Sequence, residues 1–297
     1  MTIQNTMKTT TTAPDTLTKG TTTNLPFTLI LAFAGVYVLW GSTYLAMSTL
    51  IKTVPMFLMA AFRFLLAGGI MFVWGYLAKH PLPERKQILK SCQLGFFLLV
   101  LGNGGIVIAN RFISSSGVIA ILVSITPLMI TFLEWMAGKS EKPTLSVWLG
   151  SVMGIAGMVV LTGADNLKSL GDSSWIGLLF IVFSCMAWSL GTLFAKVGQG
   201  PKSPVFNSGI QMLFSSACMF VLATFHDEWQ QIAWENYGGK EAFSFAYLVI
   251  GGSVLGFTSY TYIARNASSS SVSTYAYVNP VIALLLGWWI GREEISG

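Results

Sequence analysis

Nine stretches of apolar residues, each close to bilayer-spanning length, constrain this chain before any motif is read. Crossing the hydrocarbon takes about 20 residues of helix at about 1.5 Å each. The stretches fall at roughly 26–48, 56–78, 91–110, 115–137, 145–163, 175–196, 204–225, 243–264 and 269–290. A backbone in lipid must satisfy its own hydrogen bonds, so runs of this kind become helices. The expected fold is all-α and polytopic. Of the 297 residues, 53% are hydrophobic and 10% charged, against about 25% charged in a soluble domain. The net charge of +5 sits in short loops and forms no basic stripe with interleaved aromatics. It reads as a topology signal, with no nucleic-acid partner.

With the N-terminus in the cytoplasm, the inside segments hold eleven Lys and Arg and the outside segments five. The positive-inside rule therefore orients the chain N-in. Residues 1–25 are polar and threonine-rich with no apolar face, the composition of a disordered cytoplasmic tail. The first apolar run is too long for a cleaved signal and carries Trp and Tyr, so it is read as a span.

One pattern is written twice. Leu39-Trp40-Gly41-Ser42-Thr43-Tyr44-Leu45 in span 1 is answered by Ala187-Trp188-Ser189-Leu190-Gly191-Thr192-Leu193 in span 6, with the tryptophans 148 residues apart. Ser124-Ile125-Thr126-Pro127 in span 4 is answered by Ala276-Tyr277-Val278-Asn279-Pro280 in span 9, with the prolines 153 apart. Each of those spans closes alike, in Gly138-Lys139-Ser140-Glu141 and in Gly291-Arg292-Glu293-Glu294. Five spans, an odd number, separate the two copies, so the repeats are antiparallel across the membrane. Inverted repeats commonly place a binding site near the midplane between the halves. The first repeat covers 26–165 with five spans and the second 175–297 with four. The repeat logic calls for a tenth helix that this chain lacks.

These residues, with Arg63 in span 2, Gly102-Asn103-Gly104 in span 3 and Ser273-Thr274-Tyr275-Ala276-Tyr277-Val278-Asn279-Pro280 in span 9, resemble the EamA family of the drug/metabolite transporter superfamily. The resemblance covers about residues 26–294. It implies a ten-helix fold of two inverted five-helix repeats in the bacterial inner membrane, exporting amino acids, related metabolites or drugs. The absent tenth helix is the departure from that pattern.

Arg63 is the one Lys or Arg clearly inside a span, roughly 10 Å deep at 1.5 Å per residue. Buried arginine costs several kcal/mol without a partner, so it should face protein or water. It could bind a substrate carboxylate, act as a gate, or tie neighbouring helices. Its counterpart by the 148-residue offset is Gln211. Asn103, flanked by Gly102, Gly104 and Gly105, could hold a polar substrate group or join two helices. Trp40, Ser42, Tyr44, Trp188, Tyr275, Tyr277 and Asn279 complete the candidate substrate-binding set, their alternative being ordinary helix packing. Tyr260 and Tyr262, two positions apart, cannot both face one lumen.

Pro127 and Pro280 should kink their helices and free the carbonyls near 123 and 276, as candidate hinges. Gly150-x-x-x-Gly154 in span 5 is a candidate homodimer contact. Glu134 lies near Lys139 and should be paired or hydrated at the cytoplasmic surface. With no Asp, Glu or His at the midplane, proton coupling has little support. Cys92, Cys185 and Cys218 are scattered through apolar runs and form no disulfide framework, while His80 and His226 lack ligand-spaced neighbours, so neither metal nor cofactor is expected.

The leading function is alternating-access transport of small organic solutes. A membrane-embedded transferase would need clustered acid–base groups, and the acidic loop at 227–241 reads as solvated. A non-transporting subunit or transporter remnant rests on the missing helix alone.

Overall fold

The computed structural model describes residues 27–50, 53–109, 111–113, 119, 122–138, 142, 144–162, 174–197, 200–232, 235 and 237–290. The polar tail and both Gly-Lys/Arg-x-Glu closing motifs fall wholly or partly outside them. Among the described residues nine helical units follow one another. α1 joins Phe27–Gly35, a π-helical turn Val36–Trp40 and Gly41–Leu50. Then come α2 (Met56–Leu77), α3 (Arg85–Ala109), α4 (Thr126–Met136) and α5 (Leu145–Thr162). The second half holds α6 (Ser174–Ala195), α7 (Pro204–Phe225), α8 (Gly239–Asn266) and α9, formed by Ser269–Ser273 and Tyr275–Trp289. Among the described residues six of them (α1, α2, α3, α6, α7 and α8) are long and apolar enough to cross a membrane. α3 and α8 begin several residues earlier than their apolar runs at 91–110 and 243–264, because polar first turns precede the hydrophobic stretch.

Helix starts follow from local chemistry. At α3 the Gln87 side chain accepts from the Glu84 N–H (3.1 Å), and at α8 Glu241 accepts from the Gly238 N–H (2.9 Å). α7 begins Ser203-Pro204: the serine hydroxyl accepts from Phe206 N–H, and proline occupies the first turn, where its missing donor costs nothing. The third helix of each half also carries an eight-residue π-helical stretch, Phe96–Asn103 in α3 and Leu248–Leu255 in α8, each followed by glycine. Such irregular turns cluster at functional sites.

The most intimate helix pair is α2 with α7. Gly68 and Gly209 face each other, a Cβ on Gly68 falling 3.0 Å from the Gly209 carbonyl oxygen. Ser216 donates to the Ala61 carbonyl across the same contact (2.8 Å). With no hydrophobic drive between helices in lipid, small residues and such bonds hold the pair.

Spans 4 and 9 are broken rather than simply kinked at their prolines. In span 4 a turn at Ser124–Ile125 precedes α4, and Pro127 sits in that helix's first turn. The carbonyl of Val123, freed as expected, accepts from Thr126 Oγ1 (2.6 Å). In span 9 the break falls at Thr274, six residues before Pro280, which lies inside Tyr275–Trp289. The hydroxyl of Tyr37 from α1 meets Thr274 Oγ1 at that break (2.6 Å).

The acidic loop after α7 is not simply solvated. Glu228 is 1% exposed: its Oε2 accepts from the Leu58 N–H at the start of α2 (2.9 Å), and Oε1 meets Arg111 at 3.4 Å. A carboxylate at a helix N-terminus is favoured both by the orphan N–H and by the dipole. Glu134 pairs with Lys196 (3.7 Å), as its position near Lys139 predicts. Along α5, added Cβ atoms at Gly150 and Gly157 would meet nothing within 4 Å.

Candidate functional site

The aromatic residues of the two repeated motifs meet at the centre of the bundle. Trp40 from α1 and Trp188 from α6 stand edge to face with centroids 5.8 Å apart. Tyr260 from α8 stacks on Trp40 (5.1 Å) and tilts against Trp188 (5.4 Å), while Tyr275 from α9 stands edge-on to Trp40 (5.2 Å). The Trp40 indole N–H donates to the Gly252 carbonyl (2.9 Å), and Tyr260 shares a hydrogen bond with Thr192 (2.8 Å). Each ring pair contributes about 0.5–1.5 kcal/mol beyond burial, so the cluster is stiff.

Gly252 and Gly256 make room for it. A Cβ on Gly252 would lie 2.7 Å from Thr43 and 2.8 Å from Arg63, and one on Gly256 would lie 2.7 Å from Trp40 Nε1. The small-residue stripe of α8 is thus the bed for Trp40 and Arg63. Gly105 serves α6 in the same way, a Cβ there colliding with Ser184.

Two cavities flank the cluster. The first, about 210 Å³, is lined by Trp40, Arg63, Asn103, Trp188, Tyr275 and Asn279 from the expected set. Thr43, Ser184, Cys185, Met212, Ser253 and Phe257 are among the lining residues not anticipated. Arg63 Nε donates to Ser253 Oγ (2.7 Å), and among the described residues it has no carboxylate partner. Its remaining N–H groups are the strongest fixed donors at this cavity. Ser184 Oγ is buried without a hydrogen-bond partner. The Asn279 amide donates to the carbonyls of Tyr37 (3.3 Å) and Tyr275 (3.2 Å), joining α1 to the first turn of the second α9 segment.

The second cavity, about 380 Å³, lies where α3 and α7 begin and α8 ends. Lys90, Lys202 and Arg265 line it with Gln87, Asn207 and Gln211, and Tyr260 forms part of its wall. Asn207 accepts from Ser91 Oγ (2.8 Å), whereas both amide atoms of Gln211 are buried and, among the described residues, unpartnered.

Of the other expected site residues, Ser42 lines neither cavity; its hydroxyl bonds the Val38 carbonyl (2.7 Å) and Tyr247 (2.5 Å). Gln211 lies in the second cavity rather than beside Arg63. Tyr277 lines neither, its hydroxyl buried without a partner. The Tyr44 side chain lies outside the described residues. Pro127 and Pro280 are buried but line neither cavity. Tyr260 and Tyr262 diverge as their spacing requires, Tyr262 reaching Thr28 on the far side (3.1 Å). Among the described residues no group of His, Cys, Asp and Glu could hold a metal.

Membrane-length helices around polar, aromatic-walled cavities define a multi-pass membrane protein with a solute-sized interior. The sequence profile of the EamA-like transporter family matches residues 27–163 and 175–297, and the chain belongs to that family. The two matches give it a two-repeat architecture. It is 30% identical over 266 residues to the uncharacterized inner membrane transporter YedA of Escherichia coli (strain K12), covering 89% of this chain and 83% of that one. It is also 24% identical to the uncharacterized transporter YoaV of Bacillus subtilis (strain 168), over 90% of each. A protein solved by crystallography superposes with a TM-score of 0.71 at 20% identity, covering 91% of this chain and 90% of that one, which establishes the shared fold. The chain is a transporter of the inner membrane and not an enzyme.

Proposed function

We propose that the chain is a secondary transporter that exports small organic solutes, of the amino-acid, related-metabolite or drug class, by alternating access between two inverted halves. The observation that carries this reading is the meeting of Trp40 and Trp188 between two cavities. An axis in the membrane plane that exchanges the halves also exchanges the two membrane faces. Equivalent residues near the axis then meet, as the tryptophans do. Equivalent residues away from it face opposite cavities, as Arg63 and Gln211 do. The cationic end of the bundle is the cytoplasmic one by the positive-inside rule. The rings then close the path on that side, and the first cavity belongs to the outward half.

In this reading Arg63 receives a carboxylate or other anionic group, and Trp40, Trp188 and Tyr275 stack against an apolar or aromatic remainder. Asn103 and Ser184 add polar contacts, and the breaks at Ser124–Ile125 and Thr274 flex as the barrier opens, with Pro127 and Pro280 stiffening the segments after them. Export, rather than uptake, follows the family resemblance. Cells loaded with mixed amino acids and dipeptides test the proposal. Selective efflux that depends on the chain supports it, and unchanged retention across a wide solute panel contradicts it.

A further inference from the structure

The second cavity has a chemistry of its own. Lys202 and Arg265 line it together with Lys90, whose ammonium donates to Gln93 Oε1 (3.1 Å), and none of its described lining residues is acidic. Lys202 and Arg265 are exposed and held close together, the Arg265 guanidinium lying 3.5 Å from the Lys202 carbonyl oxygen. Lys202 also precedes the first turn of α7, whose N-terminal dipole adds positive potential. Gln211 is 0% exposed, and among the described residues neither its amide oxygen nor its amide nitrogen has a partner. A buried amide left with one acceptor and one donor side open is costly, and such groups in native proteins call for an explanation. Gln211 stands nine residues along α7 from Lys202, about 13 Å at 1.5 Å per residue. The apolar side chain of Leu98 and the Tyr260 ring that backs the barrier line the same cavity.

We propose that this cavity is a capture site for a carboxylate-bearing solute that also carries an amide or peptide group. The carboxylate lodges between Lys202 and Arg265, and the amide satisfies Gln211 in both directions. Tyr260 closes the inner end, so a bound solute waits against the barrier it must pass. The proposal rests on the transport reading for its purpose and names the substrate class, but its binding chemistry is testable without transport.

The probe is N-acetyl-alanyl-alanine, with its C-terminal amide as the uncharged match, titrated calorimetrically into the full chain in neutral detergent. Binding of the acid should exceed that of the capped form by about tenfold or more, the usual weight of hydrogen bonds to a charged group. Lys202→Gln with Arg265→Gln should lose that preference, while Arg85→Gln with Lys86→Gln, which removes an equal charge at the same end from residues that do not line the cavity, should retain it. Gln211→Leu should weaken both peptides while leaving the chain folded, as judged by its melting curve. Equal binding of acid and amide, or an unchanged preference in the double variant, overturns the proposal. So does binding of phosphatidylglycerol by chains that never bind the peptide, because the cations would then serve a lipid headgroup. A chain that exports solutes yet shows no such preference fails this inference alone; one that binds as expected yet exports nothing fails the transport reading alone.

Discussion

The two cavities differ more in how their polar groups are spent than in size. In the first, the principal polar groups already have protein partners: Arg63 holds Ser253, the Trp40 indole holds Gly252, and Asn279 bridges Tyr37 and Tyr275. In the second, the buried amide of Gln211 has none among the described residues, and Lys202 and Arg265 line a wall whose described residues include no acid. Related halves have therefore produced one cavity organised by aromatic packing and one by charge. A solute's anionic end would meet Arg63 beside the aromatic rings on one side of the barrier and the Lys202–Arg265 pair on the other.

The barrier between them is where that comparison breaks most easily. Trp40→Ala removes rings packed against Trp188, Phe257, Tyr260 and Tyr275, and should cost about 3–5 kcal/mol of stability. Thermal melting in detergent reads this directly, and any folded fraction should lose affinity for aromatic solutes before aliphatic ones. Gly256→Val comes next. Its side chain would press on Trp40 Nε1 and should cost about 1–3 kcal/mol by overpacking. A melting temperature unchanged in that variant would mean the α1–α8 contact is loose.

Arg63→Ala sharpens the comparison through selectivity. Efflux of carboxylate-bearing solutes should fall by about tenfold or more, corresponding to about 1.5–3 kcal/mol for hydrogen bonds to a charged group, with neutral solutes affected less. Equal losses for both classes would make Arg63 a strut for Ser253 and nothing more. Smallest is Gln211→Leu. Replacing an unpartnered buried amide by an apolar group of similar size should raise stability by about 1 kcal/mol in the absence of solute. A fall in stability would show that the amide is satisfied within the fold.

What the sequence made legible followed from repetition and from rarity. Trp40 and Trp188 were visible because one motif occurs twice, and Arg63 because a cation inside an apolar run is rare; all three line the first cavity. The helix starts at Glu84 and Gly238 are set by residues within one turn, yet they fall before the apolar runs at 91–110 and 243–264 and so lay outside the reading of spans. Facing is not local. Ser42 and Thr43 are adjacent hydroxyls, yet only Thr43 reaches the cavity, because it shares a helix face with Trp40 and Met47 while its neighbour points elsewhere. Ser253 stayed hidden in a glycine-rich stripe whose ordinary meaning is helix packing. The cationic cavity was unreadable for a different reason. Lys90, Lys202 and Arg265 come from three separate helix ends, and only tertiary packing brings them together. The buried role of Glu228 was missed likewise, since its partners Leu58 and Arg111 are far off in sequence.

The central claim is that the cavities open to opposite sides of a barrier shared by the two halves. Thiol accessibility tests it most directly, with Cys92, Cys185 and Cys218 replaced by serine and a single cysteine introduced at Met47 in the first cavity or Lys90 in the second. An impermeant thiol reagent should label Met47→Cys from outside intact cells and Lys90→Cys only in inside-out vesicles, with an exported solute shifting the two rates in opposite directions. Labelling of both positions from the same side would contradict the account.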